Sequence, residues 1–533
     1  MPAQLSLFSQ VTRVAAGLGL FVAGLVSLGG AERPKAENDI AIRMSPYEVS
    51  ANSVDFKRWI KVSSPNYIVY TDANQKDATA LIREFEMLHR ASQTFFRRRM
   101  QNLPPTHIVL PTSNSDWKKI RSKGTVEWTA AVSQPARGFA SLILVEYDWQ
   151  NESPAMVRAI QGQGLIRAMN LDGPLWFFNG MGAFFETSEI NGDSLMFGRQ
   201  SVRTVSLKME GWLSWQRFFE IDQRSEEFRK EWDVGRYFGQ SAAFVQYLLA
   251  NPDPVWTARL VEWAARMEAG QAPTEVEFKR VFGEDFKGWQ KAMDAYHRTG
   301  KYNVTTVRVP PQTMNFVPIK IDLPVTEMRE LFVLSQILNQ RIKASEESLD
   351  ALLARGLKTE SLRELLAEAC YQWKRMDAGG AQLRRLADGS TLNPAIYSTM
   401  AMELVSRGLP RVTSHSRLGA KEAEDAILLG RKALAIEPQH KIANEAVAWA
   451  EALGPRVDGA AVERIEKIYR VLVDQVSTSE VLSALAMARW RAGQTDAARA
   501  LCDELLASPY AEKTAKGLAE SLRAELRSPF KAP

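Results

Sequence analysis

The chain has 533 residues, too many for one hydrophobic core and enough for about three domains. Apolar residues make up 45% and charged residues 24%, which excludes a disordered or collagen-like chain and places it among globular proteins. The 67 basic side chains outnumber the 62 acidic ones by little, the charges are interspersed, and no dense Lys/Arg run appears, so no nucleic-acid partner is expected.

The N-terminus carries one basic residue, Arg13, ahead of the apolar run VAAGLGLFVAGLVSLGGA, which closes on small residues. Residues 1–31 therefore read as a secretory signal cleaved after Ala31. A retained anchor is the alternative, because residues 14–30 lie near the lower length limit for spanning a bilayer. Either reading predicts export to the periplasm or cell surface, in the second case with the chain held at the inner membrane. Residues 32–56 are polar and aperiodic and read as a linker or extended arm.

From Trp59 the pattern changes. WIKVSSPNYIVYTDA alternates and is rich in β-branched and aromatic residues, predicting two strands around Ser64-Pro65. The next segment has helical spacing, with Leu81, Phe85, Leu88, Ala91 and Phe95 on one face. THIVLPT and FASLILVEYD predict further strands, and Ser153-Pro154 opens a mainly helical stretch reaching His297. Within it, EFKRVFGEDFKGWQKAMDAYHRTG predicts two helices joined at Gly283. Residues 57–305 are thus expected to form an α+β domain. Residues 306–325, with prolines and short β-like runs, are expected to link it to a separately folded second domain.

Residues 326–533 read as helix pairs with Gly-bearing turns, and Pro394, Pro438 and Pro509 follow candidate second helices. This pattern resembles degenerate tetratricopeptide-like helical repeats, with a nonrepetitive helical bundle as the alternative. Cys370 and Cys502 lie far apart in helical surroundings and are expected to be isolated buried thiols.

The segment from about Trp59 to Lys301 resembles a bacterial family of secreted gluzincin-like zinc peptidases, the peptidase MA-like domains. GPLWFFNGMGAFFE is similar to the family's P-x-W-x-x-E-G-x-A-E helix, YFGQSAAFVQYLLA to its tyrosine- and serine-bearing helix, and FKRVFGEDF to the segment after that. In such enzymes H-E-x-x-H sets two imidazoles one turn apart to bind zinc at about 2.0–2.1 Å, and the Glu between them activates the metal-bound water. The third ligand is a Glu on the following helix. On this pattern Gln161 takes the first His position, Gly162 that of the base, Leu165 the second His and Asn179 the third ligand. Ala183 replaces the acid four residues further on. The five histidines are His89, His107, His297, His415 and His440, so none lies between 108 and 296 in any register.

The resemblance therefore implies a scaffold without its metal centre: a noncatalytic pseudopeptidase with no cofactor and no metal. It also implies a surviving cleft, lined by Gln161, Trp176, Phe177 and Asn179, that binds a protein or peptide. The alternatives are a hydrolase with a site other than H-E-x-x-H and a purely structural envelope protein whose cleft has no ligand. Ser241 lacks a nucleophile-elbow setting and reads as a packed helical serine. Glu186 and Asp172 read as a surface acid and a helix cap, and Gly162 and Gly164 as positions of close helix packing.

Overall fold

The structure, a computed structural model, describes residues 59–526 except 97–102, 114–130, 134–139, 145–153, 170, 172, 223–224, 230, 269, 300–301, 310–318, 323–333, 335–336, 338–341, 355, 357, 373, 390, 410–416, 473–478, 509–510 and 512. The expected signal or anchor and the arm at 32–56 lie outside the described residues, as does Asp172. Among the described residues no helix is long and apolar enough to cross a membrane.

The first half is built on a six-stranded sheet in the order β4-β5-β3-β2-β1-β9. Strands β1 (Ile60–Ser63) and β2 (Tyr67–Thr71) form the hairpin foreseen around Ser64-Pro65, with Ser63 opposite Ile68. Helix α1 (Gln75–Phe96) follows, and β3 (Thr106–Leu110) returns parallel to β2. Strand β5 (Leu142–Leu144) pairs parallel to β3, and β4 (Ala131–Ser133) pairs antiparallel to β5.

Strand alternation sends successive side chains to opposite faces, and here both faces are covered. Val62, Tyr67, Val69, Ile108, Leu110 and Ile143 pack under α1, against Ala78, Leu81, Ile82 and Phe85. This explains why YIVYT and THIVL are nearly continuous apolar runs rather than half-polar ones.

Helices α2 (Pro154–Ala168) and α3 (Leu175–Glu186) come next, then the hairpin β6 (Glu189–Asn191) and β7 (Ser194–Phe197). After it run α4 (Val205–Glu210), α5 (Trp215–Glu220), α6 (Glu231–Leu249), α7 (Val255–Glu268), α8 (Glu275–Phe282) and α9 (Phe286–Thr299). Gly283, at φ +85°, ends α8 with a left-handed C-cap, which only a glycine adopts without strain, and so sets the predicted α8–α9 turn. Helix α6 packs on α3, and an aromatic cluster around Trp176, Phe219, Phe244, Trp263 and Trp289 fills the space between the helices.

Residues 306–325 depart from the expected linker. Strand β8 (Thr305–Arg308) pairs with β7, and β9 (Ile319–Asp322) pairs antiparallel with β1, Ile60 lying opposite Asp322. The expected separation into two cores is also replaced. The outer face of the sheet, with Trp59, Tyr70, Val109 and Leu142, packs against Leu349 and Leu352 of α10 (Ile342–Leu353) and Leu362, Leu365 and Leu366 of α11 (Glu360–Gln372). The pleat is the reason: a sheet apolar on both faces needs a second cover, and the first C-terminal helices supply it.

Among the described residues, the elements that follow are all helices: α12 (Met376–Asp388), α13 (Pro394–Gly408), α14 (Ala420–Ile436), α15 (Lys441–Leu453), α16 (Gly459–Leu472), α17 (Ser479–Arg491), α18 (Thr495–Ala507) and α19 (Lys513–Glu525). Each helix packs on its sequence neighbour, and α13, α15 and α17 also pack on one another in series. Pro394 opens α13 at its first position, capped by Asn393, rather than closing the helix before it. Cys370 and Cys502 are buried free thiols.

Candidate functional site

The residues singled out in α2 and α3 do not converge. Gln161 Nε2 donates to the Tyr67 hydroxyl at 2.6 Å and to the Phe85 carbonyl at 2.9 Å, which turns the side chain toward β2 and α1. The face of α2 that meets α3 is instead formed by Ala159, Gly162 and Gln163. A Cβ on Gly162 would fall 2.3 Å from the Phe185 ring, and Gln163 Nε2 donates to the Phe178 carbonyl at 3.2 Å. At about 100° per residue, Gln161 is some 200° from Ala159 and lies on the opposite side of α2.

Gln161 and Leu165 share the wall of a cavity of about 70 Å³. Asn179 is not part of that wall. It is 1% exposed on α3, with neither amide atom hydrogen-bonded. Trp176 and Phe177 are corrections to the expected cleft: both are fully buried in the aromatic core. Trp176 packs on Phe218, Phe219 and Phe244, and α3 is too closely sandwiched between α2 and α6 to open a cleft there. Glu186 is a correction too. It is 5% exposed, and Arg203 Nε and Nη2 reach its Oε2 at 2.6 and 2.5 Å, because the turn at 201–204 folds over the end of α3. Ser241 is buried and bonds back to the Tyr237 carbonyl at 2.8 Å, as a packed helical serine does. Gly162 packs closely as expected, whereas Gly164 faces the cavity.

The cavity lies beside the starts of the parallel strands β2 and β3, between the sheet and α2. Asn66, Tyr67, His89, Thr106, Gln161 and Leu165 contribute to it, with Pro104, Ile143, Ile160 and Ala168 as apolar wall. The Tyr67 ring is fixed against Phe85 at 5.4 Å and edge-on to His89 at 6.3 Å. Burial, reinforced by Glu86, pushes the Tyr67 phenol far above its usual range despite the bond from Gln161, so it stays protonated. Burial also lowers His89 to about 4, which leaves the imidazole neutral at physiological pH. Behind this wall the Glu86 carboxylate is 2% exposed and accepts from Ser64 Oγ, Asn66 N and Asn66 Nδ2 at 2.7–2.8 Å, tying the β1–β2 turn to α1.

Tyr67, Glu86 and His89 went unnoticed in the sequence. The available signal for His89 was its position one turn after Phe85, on the flank of the buried face. Among the described residues no group of three or more His, Cys, Asp or Glu side chains is placed to share a metal ion. No family model, curated protein or solved structure matches this chain.

Proposed function

We propose that the protein is a noncatalytic binding protein of the cell envelope, in which a gluzincin-like pseudopeptidase half is joined to tetratricopeptide-like helical pairs and holds a protein or peptide ligand. The observation that carries the noncatalytic part of this reading is the closed seam between α2 and α3. Where an active relative would hold its ligands, the α3-facing side of α2 presents Ala159, Gly162 and Gln163, pressed onto Phe178, Phe185 and Gly182. None of these side chains is an imidazole or a carboxylate, and a Cβ added at Gly162 would already overlap the Phe185 ring. The motif register read from the sequence fares no better, since Gln161 and Leu165 face away from Asn179. The serial packing of α13, α15 and α17 is what a repeat scaffold uses to present an extended binding surface.

The experiment is a peptidase assay on the purified chain against a mixed peptide library, with and without chelator, beside measured zinc content. No cleavage and no retained zinc is the expected result. Cleavage that survives chelation would replace this reading with the hydrolase alternative, and zinc-dependent cleavage would overturn it.

A further inference from the structure

The apolar layer between the sheet and α11 is crossed by two polar ties, and each ends on an ionisable side chain. His107 of β3 is 2% exposed, with Nε2 hydrogen-bonded to Ser361 Oγ of α11 at 3.0 Å and Nδ1 to the Tyr70 hydroxyl at 3.2 Å. Glu364 is 3% exposed, and its Oε2 accepts from the Ala140 N–H beside β5 and from Asn393 Nδ2, each at 3.0 Å. Asn393 in turn caps α13, so this carboxyl joins the sheet, α11 and α13. Ser361 and Glu364 are three residues apart and lie on one side of α11. The printed partners of both groups are neutral. The charges set beside them repel: Lys61 of β1 acts on His107, and Glu360, one turn earlier on α11, acts on Glu364. Glu368, one turn later, is a second buried acid, and the neighbouring cation Arg363 is turned to Asp350 of α10 and Gln382 of α12. The docked interface therefore favours the uncharged form of both groups, the glutamic acid with its proton and the imidazole without one.

We propose that His107 and Glu364 are a compensating pair of proton-sensitive ties, opposite in sign, which together hold the docking of α11 on the sheet nearly constant between pH 5.5 and 8. Burial raises Glu364 to about 7 and lowers His107 to about 3, while in a lifted, solvated interface they return to 4.5 and 6.5. Glu364 keeps its proton in the docked state, so its tie is complete below 4.5 and is lost as pH rises through about 7. His107 stays unprotonated in the docked state, so its tie is complete above 6.5 and is lost as pH falls toward about 3. From pH 5.5 to 8 the glutamate alone favours lifting by about 30-fold, and the histidine alone opposes it by about tenfold. The two leave a net change of about threefold. This inference concerns how the two parts of the chain stay joined and is independent of the binding reading above.

The protein carries its own reporter. Cys370 lies on α11, fully buried in the layer against the sheet, whereas Cys502 is buried in the core of the later helices. The test is labelling of the full chain with methyl methanethiosulfonate at pH 5.5 and 8, each thiol read separately by peptide mass spectrometry. Each rate is divided by that of a model cysteine peptide at the same pH, which removes the ionisation of the thiol itself. In the wild type, Cys370 is expected to label faster than Cys502, with a corrected rate that changes by about threefold between the two pH values. Glu364→Gln leaves the histidine alone, and the corrected Cys370 rate should fall about tenfold from pH 5.5 to 8. His107→Gln leaves the glutamate alone, and the rate should rise about 30-fold over the same range. Only these slopes are compared, so a variant that is looser at every pH still reports. Slopes of the same sign in the two variants, or a wild-type slope as steep as either, overturn the proposal. Cys370 and Cys502 labelling at one shared rate also overturns it, because the interface then does not open on its own.

Discussion

Helix propensity alone says that replacing Gly162 by alanine should stabilise α2 by about 1 kcal/mol. The structure reverses the sign. A Cβ there would lie 2.3 Å from Phe185 Cγ and Cδ2 and 2.5 Å from Phe185 Cβ, whereas ordinary contact begins at 3.4 Å. Phe185 has no room to yield: it is 0% exposed, with Phe197 at 5.6 Å, Phe184 at 6.1 Å and Phe96 at 6.4 Å around it. Because the Phe185 Cβ is itself in the way, a change of rotamer does not relieve the overlap, and α2 and α3 must part by about 1 Å. Overpacking of this kind costs about 1–3 kcal/mol, and the upper half of that range exceeds the propensity gain. Gly162→Ala is therefore expected to destabilise by about 1–2 kcal/mol. Gly164→Ala is the control. It has the same propensity gain and faces the cavity, so it is expected to be neutral or stabilising by up to about 1 kcal/mol. Urea unfolding followed by tryptophan fluorescence reads the difference, since Trp176 sits fully buried on α3. If Gly162→Ala proves as stable as Gly164→Ala, the reasoning from this helix contact is wrong.

Asn179→Leu should stabilise by about 1–3 kcal/mol in the same assay, because a buried amide with no partner is exchanged for an apolar group of similar size. Glu186→Gln leaves Arg203 charged and buried, and should cost about 3–5 kcal/mol by urea midpoint. Burial raises Glu364 to about 7, although Asn393 and the Ala140 N–H each donate to it. Its stabilising contribution is complete below the unfolded value near 4.5 and is lost as pH rises through about 7. Glu364→Gln should therefore gain on the wild type by up to about 3 kcal/mol between pH 4.5 and 8, read as diverging urea midpoints. Burial lowers His107, His89 and His440 to about 3, 4 and 4, so their contributions are complete above about 6.5 and are lost as pH falls toward those values. Three such groups outweigh one glutamate, and the wild type should lose stability overall from pH 6.5 to 4, as circular-dichroism melts would record.

The legible part of the fold was what local pattern encodes. The Ser64-Pro65 hairpin, the α1 face at Leu81, Phe85 and Leu88, the Gly283 turn and the helix pairs after residue 341 are each set by neighbours within a few residues. The prolines at 310, 311, 318 and 324 marked a break in pattern, but the pairing of Ile319–Asp322 with β1 is a long-range choice that leaves no local trace. The site was less legible for a related reason. A motif fixes spacing along a helix but not which side of the helix meets its neighbour. Gln161 and Asn179 sit 18 residues apart on consecutive helices, yet the Gly162–Phe185 contact turns Gln161 away. Glu186 looked like a surface acid because Arg203, its partner, lies beyond an intervening hairpin.

The closing of the sheet by β9 sets a timetable for synthesis. Ser63 finds its β9 partner only at Ile319, 256 residues later. At roughly 5–20 residues per second, β1 emerges and then waits on the order of 10–50 s for that neighbour. Throughout that interval β1 offers an open edge, and the Trp59, Tyr70 and Val109 face stays bare until α11 arrives. The nascent first half is thus an adhesive intermediate, and a ribosome stalled before residue 319 would release a chain that a holdase must cover or a protease remove.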